Sequence, residues 1–215
     1  MASEIDPRFQ TTSLDTAVRD LRRDLLSDGG PRISTMRNYS FAILCYDPKK
    51  EFEMRSRIRQ LSDEARGRGW NVLSLSLRGL LMDRLKSEAP RVLDSIISRE
   101  RRLYAKSSER GLRYLKDQLT GYVEEPDGLA GAVVGEIGKY ADEHPDQVDR
   151  TLIFLGGAGA LYPFFRWSPL LRFIDDKTRT IPVVLLYPGK RLGETGLSFM
   201  GELMADRDYR PRIYS

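Results

Sequence analysis

Short apolar segments alternate with amphipathic helices along this chain, and this alternation constrains the fold more than any other feature. An apolar segment without polar alternation is typical of a strand that is covered on both faces, as in a parallel sheet. Two such strands with a helix between them form a βαβ unit, whose connection is right-handed by the general rule. The predicted strands are residues 39–46 (YSFAILCY), 71–77 (NVLSLSL), 151–155, 181–187 and 212–214.

The fold class that follows is a Rossmann-like three-layer α/β sandwich, with a mostly parallel sheet of about five strands and helices on both faces. Residues 36–215 are predicted to form this single domain. Residues 1–35 contain an amphipathic helix that packs on the domain or on a partner chain. Its N-cap is Ser13, and its apolar stripe consists of Leu14, Val18, Leu21 and Leu25.

Residues 78–148 form a long helical insertion in place of the single helix of a minimal βαβ unit, with helical patterns at 92–97, 112–119 and 129–140. The segment 91–116 is the most basic part of the chain. Its arginines could contact nucleic-acid phosphates, but interleaved carboxylates dilute the charge, so a solvated or protein-binding helix is favoured. The candidate nucleic-acid contacts are Arg99, Arg101, Arg102, Arg110 and Arg113.

Composition indicates a soluble globular protein, since 40% of the residues are hydrophobic, 31% are charged and the net charge is +4. No apolar segment approaches the roughly 18–20 residues that span a bilayer, and the N-terminus lacks a secretory signal, so a cytoplasmic location is predicted. The single cysteine, Cys45, is interpreted as a small buried hydrophobe rather than a nucleophile. The single histidine, His144, is interpreted as a solvated loop residue.

The loops after the strands are predicted to gather at one edge of the sheet, where ligand sites of such folds lie. The loop after the third strand, Gly156-Gly157-Ala158-Gly159, resembles a phosphate cradle in layout. It lacks the lysine and hydroxyl of a Walker A loop and the third glycine of a dinucleotide fingerprint. A structural turn is therefore favoured, and a nucleotide loop that uses Lys190 is the alternative. Asp47 is interpreted as a helix cap. The candidate edge residues are Asp47, Lys49, Gly156, Gly157, Gly159, Tyr187, Gly189 and Lys190.

No constellation of catalytic residues is found. With one histidine and one cysteine, a metal site would need carboxylates alone. A serine–histidine–acid arrangement would depend on His144, and no G-x-S-x-G elbow is present. No catalytic residue, metal or cofactor is therefore predicted.

Four C-terminal segments resemble the BrxB family of BREX (bacteriophage exclusion) phage-defence systems. These are GALYPF (159–164), VVLLYPG (183–189), LSFMG (197–201) and YRPRIY (209–214). The strand FAILCYDP (41–48) and the overall length also suit that family, whereas residues 78–145 contribute little to the resemblance.

The resemblance implies a small component of a system that also contains a DNA methyltransferase, an alkaline-phosphatase-like PglZ protein and a large ATPase. Members of the family have no established catalytic activity. We therefore expect a non-enzymatic adaptor that binds another BREX protein, with the PglZ-type protein favoured and a homodimer left open. If they are exposed, aromatic side chains are the expected contacts, and the alternative is that Phe164 and Trp167 are core. These aromatic residues are Tyr162, Phe164, Trp167, Tyr187 and Tyr209.

Overall fold

The computed structural model describes residues 14–33, 40–125, 127–164, 167–174, 177–193, 196–202 and 211–215. The strands are β1 (Phe41–Tyr46), β2 (Asn71–Ser76), β3 (Thr151–Gly156), β4 (Val183–Leu192), β5 (Gly196–Phe199) and β6 (Arg212–Tyr214). The helices are α1 (Leu14–Leu25), α2 (Glu51–Gly67), α3 (Leu77–Ser87), α4 (Pro90–Tyr104), α5 (Ser108–Glu124), α6 (Leu129–Glu143) and α7 (Trp167–Ile174). Short 3₁₀ helices span Pro48–Lys50, Pro145–Arg150 and Ala158–Leu161.

The main sheet has the strand order β2-β3-β4-β1-β6, and all neighbours in this order are parallel. β5 pairs only with the second half of β4, in the antiparallel sense. The register places Tyr46 opposite Pro188 and Ser76 opposite Gly156, so these strands end at the same edge. The predicted α/β class with a mostly parallel sheet of about five strands is confirmed.

Two hydrophobic clusters cover the two faces of the sheet, and β1 contributes alternate side chains to both. Phe41, Ile43 and Cys45 pack with residues of α3, α5, α6 and α7. Ala42 and Leu44 pack with residues of α1 and α2. All six residues of β1 are buried, which is why its sequence is apolar without alternation. The layers are therefore helix, sheet and helix, as the Rossmann-like prediction requires.

α1 packs on the sheet through the predicted stripe. Leu14, Val18, Leu21 and Leu25 are all buried, and α1 contacts α2, β1 and β6. The predicted N-cap, Ser13, lies outside the described residues.

The prediction that the fourth strand ends at Pro188-Gly189 and is followed by a loop is wrong. β4 continues to Leu192, and its second half forms a hairpin with β5. Proline and glycine usually end strands, but here they mark the point where β4 exchanges its parallel neighbours for β5. The carbonyl of Pro188 accepts a hydrogen bond from the Met200 amide at 2.9 Å, which holds the hairpin at this bend.

Two helix predictions also need correction. α3 was not predicted, because Leu77 extends the apolar pattern of the preceding strand. In the structure the Ser76 hydroxyl accepts a hydrogen bond from the Gly79 amide at 3.1 Å, so Ser76 ends β2 and caps α3. The apolar residues 161–165 after the glycine loop also predict a helix, but the structure has the 3₁₀ helix Ala158–Leu161 and a turn through residue 164, and residue 165 lies outside the described part. The next helix, α7, begins at Trp167, so Ser168 lies inside it rather than at its N-cap.

Candidate functional site

The segments that follow β1 and β3 and the bend at Pro188 within β4 meet at the carboxyl edge of the sheet. They line an open cleft of about 570 Å³, a volume within the range of about 300–1,000 Å³ that is usual for ligand pockets. The residues of these segments that line it are Pro48, Gly156, Gly157, Gly159 and Pro188. This edge is therefore the candidate small-molecule site of the fold.

Most of the cleft wall is apolar, and its basic side chains lie on α2 and α3. Phe154 and Leu186 line the sheet side of the cleft. Arg55 also lines it, but its guanidinium is paired with the Glu51 carboxylate at 2.7 Å. Arg78 is exposed and forms no ion pair within the described residues. A ligand with an apolar body and one anionic group is the class that such a cleft could hold.

The glycine loop has a structural explanation that needs no ligand. Gly157 has a φ of 78°, in the left-handed region that favours glycine. A Cβ at this position would lie 3.5 Å from the backbone nitrogen of Arg78, so the loop passes close to the start of α3. The tight turn that we favoured from the sequence accounts for this residue.

The charged candidates of this edge do not line the cleft. The Asp47 carboxylate accepts a hydrogen bond from the Lys49 amide at 3.0 Å, which confirms its interpretation as a cap. Lys49 is exposed. Lys190 is exposed on β4 and packs along Gly201, where an added Cβ would lie 3.3 Å from the lysine Cε. The nucleotide alternative therefore loses its expected lysine, and Arg78 is the cation nearest to the glycine loop.

Two of the aromatic residues that we expected to contact a partner if exposed, Trp167 and Tyr187, are buried in the core. Trp167 and Tyr187 are each 1% exposed. Both pack against Phe199 of β5, with ring-centroid distances of 5.4 and 5.6 Å. The two rings also meet each other at 5.9 Å, edge to face. This cluster joins α7, β4 and β5.

The remaining aromatic candidates differ from one another. Tyr162 is half-buried beside Phe199 at a ring distance of 5.9 Å, and its hydroxyl bonds to the Glu202 carboxylate, which raises the pKa of Tyr162. Phe164 is also half-buried. Tyr209 lies outside the described residues. The carboxyl edge thus presents little of the aromatic surface that we expected.

A second candidate surface lies on the insertion, where α4 and α5 form an antiparallel helical hairpin. α4 is amphipathic, yet none of its 15 residues is buried. α5 is anchored to the body near its C-terminal end, where Leu119 and Val123 are buried. The arginines predicted to contact nucleic acid all lie on this hairpin and are all exposed. They are Arg99, Arg101, Arg102, Arg110 and Arg113.

α4 and α5 pack against each other, and several large side chains of the hairpin remain exposed. Gly111 lies against Tyr104, and an added Cβ would come within 2.8 Å of the tyrosine Cβ. The Arg99 guanidinium stacks over the Tyr114 ring at 5.3 Å. Of the six large hydrophobic side chains that are exposed among the described residues, four lie on the hairpin. They are Val92 (39%), Ile97 (46%), Tyr104 (54%) and Leu112 (44%).

Other chemistry is sparse in the part of the chain that the structure describes. That part contains no group of three or more histidine, cysteine and carboxylate side chains placed to bind a metal ion. It also contains no helix that is both long and apolar enough to cross a membrane. His144 is exposed at the end of α6, as predicted, with its ring 4.9 Å from that of Tyr140. Cys45 is buried, which raises the pKa of its thiol to about 12 and disfavours the nucleophilic thiolate.

Comparison with known proteins identifies the family. The sequence model described as BREX protein BrxB matches residues 73–213, more than half of the 215 residues. The chain belongs to the BrxB family. It is therefore a component of a BREX phage-defence system. The BrxB match includes the whole α4–α5 hairpin and begins after β1, so the hairpin lies within the part that BrxB proteins share. No curated protein and no solved structure matches the chain.

Proposed function

We propose that this BrxB-family chain is a non-enzymatic, cytoplasmic adaptor that binds another BREX protein through the α4–α5 hairpin. The PglZ-type, alkaline-phosphatase-like component is the favoured partner. One observation carries the proposal: α4 is an amphipathic helix of 15 residues, none of which is buried. Because Trp167 and Tyr187 are buried, we no longer expect them to contact the partner. Exposed side chains of the hairpin are the proposed contacts instead.

The physical argument is that a helix in a globular protein gains most of its stability by burying its apolar face. Ile97 and Tyr104 are seven residues apart, so they lie on the same face of α4, and both are more than 40% exposed. Removing apolar surface from water contributes about 25 cal/mol per Å². Contiguous apolar side chains left in water are typical of protein–protein interaction sites.

Co-purification from cells that carry the complete BREX system tests this proposal. The chain is tagged, and captured proteins are identified by mass spectrometry. Ile97→Asp places a charge in the uncovered face, and Phe52→Asp is the matched control, since Phe52 is exposed on α2, far along the chain from the hairpin. Thermal unfolding of both variants tests whether they remain folded.

We expect the wild-type chain and Phe52→Asp to capture the same BREX protein in equal amounts. Loss of an interface residue at a central position costs more than about 1–2 kcal/mol, so Ile97→Asp should lower capture by about tenfold or more. Failure of the wild-type chain to capture any BREX protein would remove the proposal. Equal capture by Ile97→Asp would remove the hairpin as the docking surface.

A nucleotide-binding regulator is the second candidate function, favoured by the cleft at the carboxyl edge and by Arg78, which lines it and forms no ion pair with a described residue. A nucleotide at about 100 times its Kd would add roughly 2.7 kcal/mol to the free energy of unfolding. Thermal unfolding with ATP, GTP and AMP measures this effect. A rise in melting temperature that Arg78→Ala abolishes and Lys190→Ala retains would establish this function; no rise with any nucleotide would dismiss it.

A further inference from the structure

We infer that the partner of the α4–α5 hairpin presents an acidic protein surface around an apolar centre; this inference rests on the proposed docking role. The charge of the chain is concentrated on the hairpin. Residues 90–124 include eight basic and five acidic side chains, a net charge of +3 out of the +4 of the whole chain. The rest of the chain therefore carries a net charge of only +1, and most of the positive field originates at the hairpin.

Few of these charges are paired with an opposite charge among the described residues. Among the described residues of the hairpin one ion pair forms, between Arg113 and Glu109 at 2.9 Å. Arg99 stacks on Tyr114 and has no carboxylate partner among the described residues. By contrast, α2 pairs Arg55, Arg66 and Arg68 with neighbouring carboxylates at 2.7 to 3.0 Å. The hairpin thus differs from an ordinary solvated helix face, on which opposite charges alternate in pairs.

The basic and apolar side chains lie side by side. Arg101 follows Ile97 by four residues and precedes Tyr104 by three, so it borders the uncovered apolar face. Arg101 is exposed and forms no ion pair within the described part of the chain. A surface with an apolar centre and a basic border is complementary to an apolar patch bordered by Asp and Glu.

Two other occupants fit this surface less well. A second copy would place the net positive charge of one hairpin against that of the other, which is unfavourable. Duplex DNA would meet Ile97, which gains nothing from phosphates, and the carboxylates of Asp94 and Glu100, which repel them. An acidic protein surface satisfies both the apolar and the basic groups.

Two measurements on the purified complex with the captured BREX protein test the inference. In the first, a carbodiimide couples lysine amines to carboxylates that lie in direct contact. We expect cross-links from Lys106 or Lys116 of the hairpin to Asp or Glu of the partner, and none from the exposed Lys49 and Lys139 on the body. Cross-links from Lys49 or Lys139 alone would contradict the inference.

In the second, Arg101→Glu is compared with Arg59→Glu, a matched reversal at an exposed position of α2. We expect Arg101→Glu to weaken partner binding about tenfold or more at low ionic strength, with a smaller difference in high salt. If Arg101→Glu binds the partner with wild-type affinity while Ile97→Asp loses binding, the docking role stands but the inference of an acidic partner surface is refuted. Salt-sensitive binding of duplex DNA, or a homodimer that Ile97→Asp dissociates, would identify another occupant and overturn the inference.

Discussion

The Tyr214 hydroxyl donates a hydrogen bond to the Asp24 carboxylate at 2.9 Å, across 190 positions of the sequence. Both side chains are buried, and the Arg212 guanidinium also contacts the carboxylate at 2.9 Å. Asp24 belongs to α1 and Tyr214 to β6. This contact therefore joins the helix near the start of the chain to the last strand of the sheet.

Tyr214→Phe should lower the free energy of unfolding by about 1.5–3 kcal/mol, the usual contribution of a hydrogen bond to a charged group. Tyr104→Phe is the matched control, because Tyr104 is exposed and its hydroxyl has no hydrogen bond among the described residues. The control should change stability by less than about 0.5 kcal/mol. Urea denaturation measures both, and equal effects of the two variants would show that the Asp24 contact contributes nothing.

Glycine substitutions should have opposite effects at two positions. A Cβ on Gly189 would lie 2.4 Å from the Ser198 carbonyl oxygen and 2.5 Å from the Tyr187 ring, so Gly189→Ala should destabilise the protein by about 1–3 kcal/mol. A Cβ on Gly135, in α6, meets nothing within 4 Å, so Gly135→Ala should stabilise it by about 0.5–1 kcal/mol. Stability of Gly189→Ala at or above wild type would refute the β4–β5 contact described above.

Trp167 tests whether the family-like aromatic segments are core. Trp167→Ala should lower the free energy of unfolding by about 3–5 kcal/mol, because the side chain is 1% exposed and packs on Tyr187 and Phe199. Phe52→Ala, at an 85% exposed position, should change it by less than about 0.5 kcal/mol. A small loss for Trp167→Ala, together with weaker partner binding, would return this residue to the docking surface.

Alkaline pH should destabilise the protein through Cys45. Burial raises the pKa of this thiol to about 12 in the folded state, against about 8.5 in an unfolded chain. Because the folded pKa is raised, the contribution to stability is complete below about pH 8.5 and is lost as the pH rises towards 12. One such group changes the free energy of unfolding by up to about 1.4 kcal/mol per pH unit.

Cys45→Ala removes this titration, so its free energy of unfolding should fall less steeply than that of the wild-type protein between pH 8.5 and about 10. Burial also raises the pKa of Tyr46 and Tyr214, so both proteins should lose stability at higher pH. Denaturation curves at a series of pH values give the two slopes. Identical slopes below pH 10 would contradict the buried position of the thiol.

The parts of the fold that could be predicted are those with a strong local signal. The strands β1 and β3 are apolar because both faces are covered, and the stripes of α1 and α2 repeat at helical spacing. α3 and the β4–β5 hairpin lack such a signal. Leu77 belongs to an apolar run that crosses the boundary between a strand and a helix, and Pro188-Gly189 continues a strand only because β5 is available as a partner.

The candidate sites show the same division. Convergence of the segments after β1 and β3 at one edge follows from a parallel sheet, and the cleft contains the predicted glycine loop. Burial of Trp167 and Tyr187 could not be predicted, because aromatic residues are common both in cores and at interfaces and the packing of β5 decides between the two. The stripe on α4 was predicted, but its exposure depends on how α5 and the body pack around it.

Hydrogen–deuterium exchange of the purified chain, with and without the BREX protein that co-purifies with it, tests the central claim most directly. The adaptor account predicts slower amide exchange in Pro90–Tyr104 and in the first half of Ser108–Glu124 when the partner is bound, with no change at residues 156–162 and 186–191. Slower exchange confined to residues 156–162 and 186–191, with the hairpin unchanged, would contradict it.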